Sequence, residues 1–395
     1  MIKLLFVINS LTIGGSEKSL VSLLDLIDYS KYEVDLFMLK KGEAFDKYIP
    51  AEVNVLDIPD YYRYINNENI KKSNIIKIKY SICRYKSSLE LRLNGKIKKL
   101  LNNQQIFYKN QRNVLDNLTK KYDVAIAYAQ GFPTYFVADK VNAIKKLAWI
   151  NCDYKTTSYD KNMDKIFYDK IDKIIAVSKV CKDSIIAVNK IYEEKIEVIM
   201  DIVNPELIEM MSNSNVEEFD SNKINILTVA RLVVHHKGYD VAVMAAKILK
   251  DKKIGFKWYV VGEGSDRHEI EKLIEKNNLE ENFILLGSRD NPYPYMKSCD
   301  IYVQPSRYEG FGLTVIEAKV LKKTIVCSNF NTVKELINNE VDGLVVGMKS
   351  DNLAVGIMRV ISDIEFQNRI KYNLNNSEKY NSMSEIEKIY KLIES

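Results

Sequence analysis

The chain has 395 residues, 46% of them hydrophobic and 28% charged, and a formal net charge of +5. At about 100–200 residues per domain this length fits two domains, and the composition excludes collagen-like, disordered and disulfide-scaffold classes. Apolar runs such as Leu4 to Ile8 fall far short of the ~20 residues of a membrane-spanning helix. Cys83, Cys152, Cys181, Cys299 and Cys327 form no Cys-x-x-Cys pair, and Met1-Ile2-Lys3 opens no cleavable leader. The expectation is a cytoplasmic protein with reduced thiols, free or peripheral on the inner face of a membrane.

Taken in chain order, a strand over Lys3 to Ile8 leads through an Asn-, Ser- and Gly-rich turn to an amphipathic helix over Ser16 to Ile27. Further strands are predicted at Glu33 to Leu39, Val53 to Ile58, Val124 to Tyr128, Lys146 to Ile150, Ile174 to Val177 and Ile196 to Met200. Most are separated by helix-length segments, the pattern of a parallel sheet wound with helices. The stretch from Asn204 to Asn222 reads as a polar linker. Alternation then restarts with strands at Ile224 to Ala230, Lys257 to Val261, Phe283 to Leu286, Ile301 to Gln304, Thr324 to Cys327 and Leu344 to Val346. The predicted fold class is α/β, with two Rossmann-like doubly wound domains over residues 1–203 and 204–375. A terminal helix within 376–395 is expected to pack back on the first domain.

An insertion at about 61–120 stands apart. Between Tyr61 and Arg112 thirteen Lys or Arg face only Glu68 and Glu90, a local +11 in a chain whose remainder is −6. Ile75, Ile78, Ile82, Tyr85, Leu89, Leu93, Ile97 and Leu100 recur at steps of three or four and line one helix face, with a bend expected at Asn94-Gly95. Two readings compete: a helical cap packed on the first domain with a solvated basic side, or a surface that docks on anionic lipid. Tyr61, Tyr62, Tyr64 and Tyr80 fit either. No RNA-binding signature accompanies the cations, so nucleic acid is not an expected partner.

The residues that carry chemistry concentrate in the second half. Behind the strand ending at Gln304 comes Pro305-Ser306-Arg307-Tyr308-Glu309-Gly310-Phe311-Gly312-Leu313-Thr314, and then a helix that contains Glu317. Free backbone N–H groups at such a helix start suit a phosphate or another oxyanion. Arg231 and Lys237 follow the strand ending near Val229, at the sheet edge where doubly wound folds bind ligands. A guanidinium and an ammonium there can neutralise a diphosphate without a metal. No Asp-x-Asp occurs in the chain, which argues against a diphosphate held through a metal; neither metal nor cofactor is expected. Gly262-x-Gly264 lacks the third glycine of a dinucleotide fingerprint, and GGSEKS at residues 14–19 lacks the spacing of a P-loop.

Together, GGSEKSL, AVSK at 176–179, VARLVVHHKG, VVGEGSDR at 260–267, QPSRYEGFGLTVIEA and VDGLVV at 341–346 resemble the retaining GT-B glycosyltransferases marked by a Glu-x7-Glu motif, here Glu309 and Glu317. The resemblance runs nearly end to end and implies two Rossmann-like domains facing a cleft. It implies that Arg231 and Lys237 hold the donor diphosphate, that Glu317 accepts from the ribose hydroxyls and that Glu309 faces the donor sugar. Gly310, Phe311, Gly312, Leu313 and Thr314 would offer backbone N–H groups, Gly262 would let the nucleotide approach, and Leu286 to Arg289 would border the base. Gly14 and Gly15 would meet the diphosphate on closure.

One departure is plain. Many members of that family carry a histidine after the strand here written Lys146 to Ile150, whereas this chain has Asn151-Cys152-Asp153. Asn151 can hydrogen-bond a sugar but takes no proton at neutral pH; Asp153 is the nearer ionisable group, or else a helix N-cap. The expected function is sugar transfer, with retention, from a nucleoside-diphosphate sugar (UDP favoured) to a glycan or lipid-linked acceptor, as in bacterial surface polysaccharide assembly. The rivals are a sugar-nucleotide epimerase of the same architecture and a non-catalytic membrane-associated binding protein.

Overall fold

The computed structural model describes residues 1–96, 101–376 and 382–395. The chain divides into two units, Met1–Ile202 with Met383–Ser395, and Val203–Ser382. The first unit runs β1 (Ile2–Ile8), α1 (Gly15–Leu26), β2 (Tyr32–Met38), β3 (Asn54–Val55), α2 (Asp60–Ile65), α3 (Asn74–Lys96), α4 (Asn103–Gln111) and β4 (Lys121–Ala127). It continues with α5 (Phe132–Lys140), β5 (Asn142–Ile150), α6 (Lys161–Tyr168), β6 (Lys173–Ala176), α7 (Lys179–Val188) and β7 (Ile196–Val198). Its seven strands are all parallel, in the order β3-β2-β1-β4-β5-β6-β7.

The second unit runs α8 (Pro205–Met211), β8 (Ile224–Val229), α9 (Val234–Lys237), α10 (Tyr239–Asp251), β9 (Phe256–Val261), α11 (Arg267–Lys276), β10 (Phe283–Gly287) and α12 (Tyr293–Ser298). Then come β11 (Ile301–Gln304), α13 (Leu313–Val320), β12 (Thr324–Ser328), α14 (Val333–Leu336), β13 (Leu344–Val346), α15 (Ser350–Ser362) and α16 (Ile364–Asn376). Six parallel strands follow the order β10-β9-β8-β11-β12-β13. Both sheets are doubly wound, and the expected fold class is the one found. Successive residues point to opposite faces, and with helices on both faces each is buried, which is why Leu4 to Val7 and Ile301 to Val303 read as continuous apolar runs and lie buried.

The last helix, α17 (Met383–Glu394), belongs to the first unit. The Tyr390 ring stacks on Tyr32 with centroids 5.1 Å apart, its hydroxyl accepts from the Asp28 N–H at 3.0 Å, and Tyr32 donates to Glu394 at 2.7 Å.

Three expectations are refined. The supposed linker at 204–222 contains helix α8, started by Asn204, whose side chain accepts from the Glu206 and Leu207 N–H groups ahead of Pro205 at the first helical position. Asn-Pro there is a helix signal hidden in a polar stretch. Asn94-Gly95 lies in the last turn of α3, which runs to Lys96 ahead of α4 at Asn103, and the Asn94 side chain bonds both the N–H and the carbonyl of Leu101.

The third concerns the face of α3. Tyr80, Cys83 and Ser87 are the buried residues of this helix, whereas Ile75, Ile78, Ile82, Tyr85, Leu89 and Leu93 are exposed. Tyr80 meets Tyr61 edge-on at 5.3 Å, Tyr64 shares a 2.7 Å hydroxyl bond with Ser81, and Cys83 donates to the Asn110 carbonyl. Those tyrosines fasten α2 to α3, Tyr62 meets Phe132 of α5 edge-on at 6.1 Å, and the more apolar stripe faces away. Gln105 of α4 completes the anchoring by donating to the buried Asp164 carboxylate of α6, which also receives the hydroxyls of Tyr135 and Tyr154. Of the residues assigned to the stripe and the basic run, Ile97, Lys98, Lys99 and Leu100 lie outside the described residues.

Candidate functional site

In the second unit β8 lies between β9 and β11, so the sheet order reverses at β8. Loops leaving the carboxyl ends of β8 and β11 flank the crevice where open α/β sheets bind ligands. Arg231 follows β8, is exposed, and pairs with no acid among the described residues. Lys237 ends the short helix α9 and is followed by Gly238 in the left-handed region, φ +68°. A Cβ on Gly238 would lie 2.0 Å from the Pro305 carbonyl oxygen, so only glycine lets the two loops come this close.

They are also pinned to each other. Arg307 and Tyr308 donate their N–H groups to the His236 carbonyl at 2.9 and 3.3 Å, and the Arg307 guanidinium forks onto Asp240 at 2.8 and 2.7 Å. Asp266 accepts from the Val234 N–H at 2.9 Å and fixes the other end of α9.

Glu309 sits at the centre of this arrangement. Its carboxylate receives the Lys237 ammonium on both oxygens at 2.7 Å, while Oε1 also accepts from Ser306 Oγ at 2.6 Å and Gln304 Nε2 at 2.9 Å. Asn331 holds the Glu309 N–H at 3.1 Å. Gln304 is oriented in turn by hydroxyls from Tyr302 at 2.7 Å and Thr314 at 3.3 Å on its carbonyl oxygen. Two of the three ammonium protons of Lys237 are thereby accounted for, leaving one directed elsewhere.

Gly310, Phe311 and Gly312 form the turn before α13, with Phe311 buried and Gly312 as N-cap residue. Leu313 and Thr314 occupy the first turn, where N–H groups have no intrahelical acceptor. Glu317 lies in the second turn, 1% exposed, and accepts the Tyr293 hydroxyl at 3.0 Å. Arg289 is held by Tyr295 at 3.0 Å and Glu218 at 3.3 Å, at the end of β10. Gly262 has a structural reason of its own: a Cβ there would meet the Ala230 carbonyl oxygen at 2.0 Å. Arg231, Lys237, Gly262, Arg289 and the segment 309–317 thus all lie at or behind the carboxyl ends of β8, β9, β10 and β11.

The first unit carries the remaining candidates. Gly14 and Gly15 start α1, after the loop that follows β1. Asn151 follows β5, taking Gln130 Oε1 on its N–H at 3.1 Å and donating Nδ2 to the Tyr128 carbonyl at 3.2 Å, while its Oδ1 is buried without a partner. Asp153 precedes a short turn over Tyr154–Thr156, but its side chain makes no capping bond, and Oδ1 is likewise buried and unpartnered. The N-cap reading of Asp153 is therefore set aside.

Sequence reasoning missed several residues. Gln304, Ser306, Asn331 and Tyr293 orient the two glutamates, and position beside Glu309 was the available signal for the first two. Asp201, just beyond β7, is buried with an unpartnered Oδ1. Burial, with a smaller push from the Glu17 charge, raises its carboxyl to about 7, although a hydrogen bond from Ser19 opposes the shift.

With the geometry in place, comparison with known proteins gives a family. Residues 210–377 match the family described as "Glycosyl transferases group 1". That match covers most of the second unit. A relative in Campylobacter jejuni, "N-acetylgalactosamine-N,N'-diacetylbacillosaminyl-diphospho-undecaprenol 4-alpha-N-acetylgalactosaminyltransferase", is 26% identical over 214 residues, 54% of this chain and 57% of that protein. The Staphylococcus aureus "Poly(ribitol-phosphate) alpha-N-acetylglucosaminyltransferase" is 29% identical over 185 residues, 45% of this chain and 37% of the relative. The chain spans about half the length of the curated relatives it matches. Among solved structures, Anabaena Alr3699/HepE in complex with UDP-glucose matches all of this chain and all of its own with a TM-score of 0.71 at 16% identity. That likeness covers both units, and the fold class of the chain is GT-B.

Proposed function

We propose that the protein transfers a sugar from a nucleoside-diphosphate sugar, UDP-sugar in preference to GDP-sugar, to a hydroxyl of a glycan or lipid-linked glycan in bacterial surface polysaccharide synthesis. The observation that carries this reading is the Lys237–Glu309 pair at the carboxyl edge of β8 and β11, with Arg231 exposed in the same segment between β8 and α9. Arg231 and the remaining proton of Lys237 bind the diphosphate, and the N–H groups at the start of α13 add dipoles of the same sign. Glu309, fixed by four donor contacts, orients the donor sugar, and Glu317 takes the ribose hydroxyls. Arg289 borders the base.

Charge at the departing diphosphate is the largest quantity to be stabilised, and fixed donors do this without reorganising. The absence of Asp-x-Asp from the sequence supports a route that needs no metal. In that route the bond from the anomeric carbon to the β-phosphate oxygen breaks, and the acceptor oxygen bonds the same carbon on the same face. The acceptor's proton passes to the departing phosphate, so configuration is retained. UDP-glucose in the Anabaena neighbour supports the choice of nucleotide, and the α-linkages in the relatives' names support retention.

The test is a transfer assay over nucleotide sugars with chelator present, the product anomer being read by NMR. Glu309→Gln is expected to lower turnover at least about tenfold with the fold intact. Full activity in that variant, or an inverted product, overturns the assignment. Conversion of donor without acceptor marks an epimerase instead.

A further inference from the structure

The first unit presents a surface that contains none of the candidate site residues. Helix α3 extends over 23 residues, and Ile75, Ile78, Ile82, Tyr85, Leu89 and Leu93 on its outer side are between 44% and 69% exposed. At about 100° per residue these six fall within roughly one quarter of the helix circumference, opposite Tyr80, Cys83 and Ser87. Isolated exposed leucines need no explanation, but a continuous row over five turns does.

Cations border the row on both sides. Lys79 and Lys86 lie along one flank, and Lys77, Arg84 and Arg92 along the other. None of the five pairs with an acid among the described residues. Glu90, the one acid of the helix, points to the packed side and is taken up by Lys109 and Asn110. Lys77 and Arg84 also line a cleft of about 530 Å³ with Tyr64, Ser81 and Tyr85, a polar recess beside the row.

We propose that the outer face of α3 docks this protein on a bilayer containing anionic lipid. In this pose the helix lies in the plane of the interface, with its apolar row among the acyl chains and its flanking cations at the headgroup phosphates. Apolar centre and cationic borders match that layering. A second copy of the chain is a poor occupant, because it would set five unpaired cations against five more. No described helix is long and apolar enough to cross a membrane, so the docking is peripheral. The inference stands on the first unit alone and does not rest on the transfer reaction.

Flotation of the full chain with phosphatidylcholine vesicles, with and without phosphatidylglycerol, tests it. Binding is expected only to the anionic vesicles and is expected to weaken as salt rises. The triple variant Lys79→Glu, Lys86→Glu, Arg92→Glu should bind at least about tenfold more weakly. The exposed double variant Ile78→Ser, Leu89→Ser should also lose binding, while both variants keep the circular dichroism and UDP affinity of the parent. Equal flotation with neutral vesicles, no flotation of the parent, or variants that float unchanged would overturn the proposal. So would a lipid-free dimer that the Ile78→Ser, Leu89→Ser variant dissolves. Loss of UDP binding leaves this outcome untouched, so the two readings fail separately.

Discussion

Asp201 offers a prediction whose sign and size follow from its surroundings. Its carboxyl titrates at about 7 in the folded chain against an ordinary 3.8, because burial disfavours the charged form and Glu17 adds repulsion. Between these values the folded state holds a proton that the unfolded state has released, so stability falls as pH rises from about 4 to about 7 and levels off above. Roughly three pH units at about 1.4 kcal/mol each give a ceiling on the order of 4 kcal/mol. Asp201→Asn keeps the shape and removes the ionisation. The variant should match the parent near pH 4 and exceed it by up to that ceiling at pH 8. Denaturant unfolding followed by Trp149 fluorescence in a Trp258→Phe background reads the first unit alone, since these are the chain's two tryptophans. A difference between variant and parent that is independent of pH, or a variant less stable at pH 8, would refute the reasoning.

The second unit supplies two more predictions. Lys237→Ala leaves the Glu309 carboxylate without its counter-charge and should cost about 1–3 kcal/mol in unfolding experiments, with turnover down at least about tenfold. Adding Glu309→Gln should restore part of the stability but none of the turnover, and a double-mutant cycle reads the coupling. Gly238→Ala forces a side chain into the left-handed region and against the Pro305 carbonyl, a penalty above ~2 kcal/mol. Thermal melting and UDP titration of that variant should show a lower midpoint and weaker binding together, because the same glycine joins the two loops.

How much of this was legible in the sequence depends on which physical signal a residue carries. Thirteen strands were read within a few residues because a parallel strand buried on both faces is a short apolar run. The weakest reading, Val53 to Ile58, shrank to Asn54–Val55 at the sheet edge, where pairing has only one neighbour. Glu309, Glu317, Arg231 and Lys237 were singled out because glycines and charges cluster at strand ends, and the structure puts them behind β8 and β11. The Lys237–Glu309 bond was not, since no spacing rule joins positions 72 apart. The face of α3 was left open between packing and docking, and the structure turns the apolar stripe outward. Its packed side uses Tyr80, Cys83 and Ser87, of which Cys83 donates to the Asn110 carbonyl, while Ile, Leu and Tyr85 face out; hydrophobicity alone does not select the packed side. Helix α8 was hidden because its Asn-Pro start sits in a polar stretch without a long apolar stripe.

In the proposed function, fixed cations and backbone dipoles of the second unit hold a nucleoside diphosphate directly. Calorimetric titration with UDP in excess chelator measures this. Saturable one-to-one binding is predicted, weakened at least about tenfold in Arg231→Ala and further in Arg231→Ala, Lys237→Ala. Binding that appears only when a divalent cation is restored, or that both variants retain in full, would contradict it.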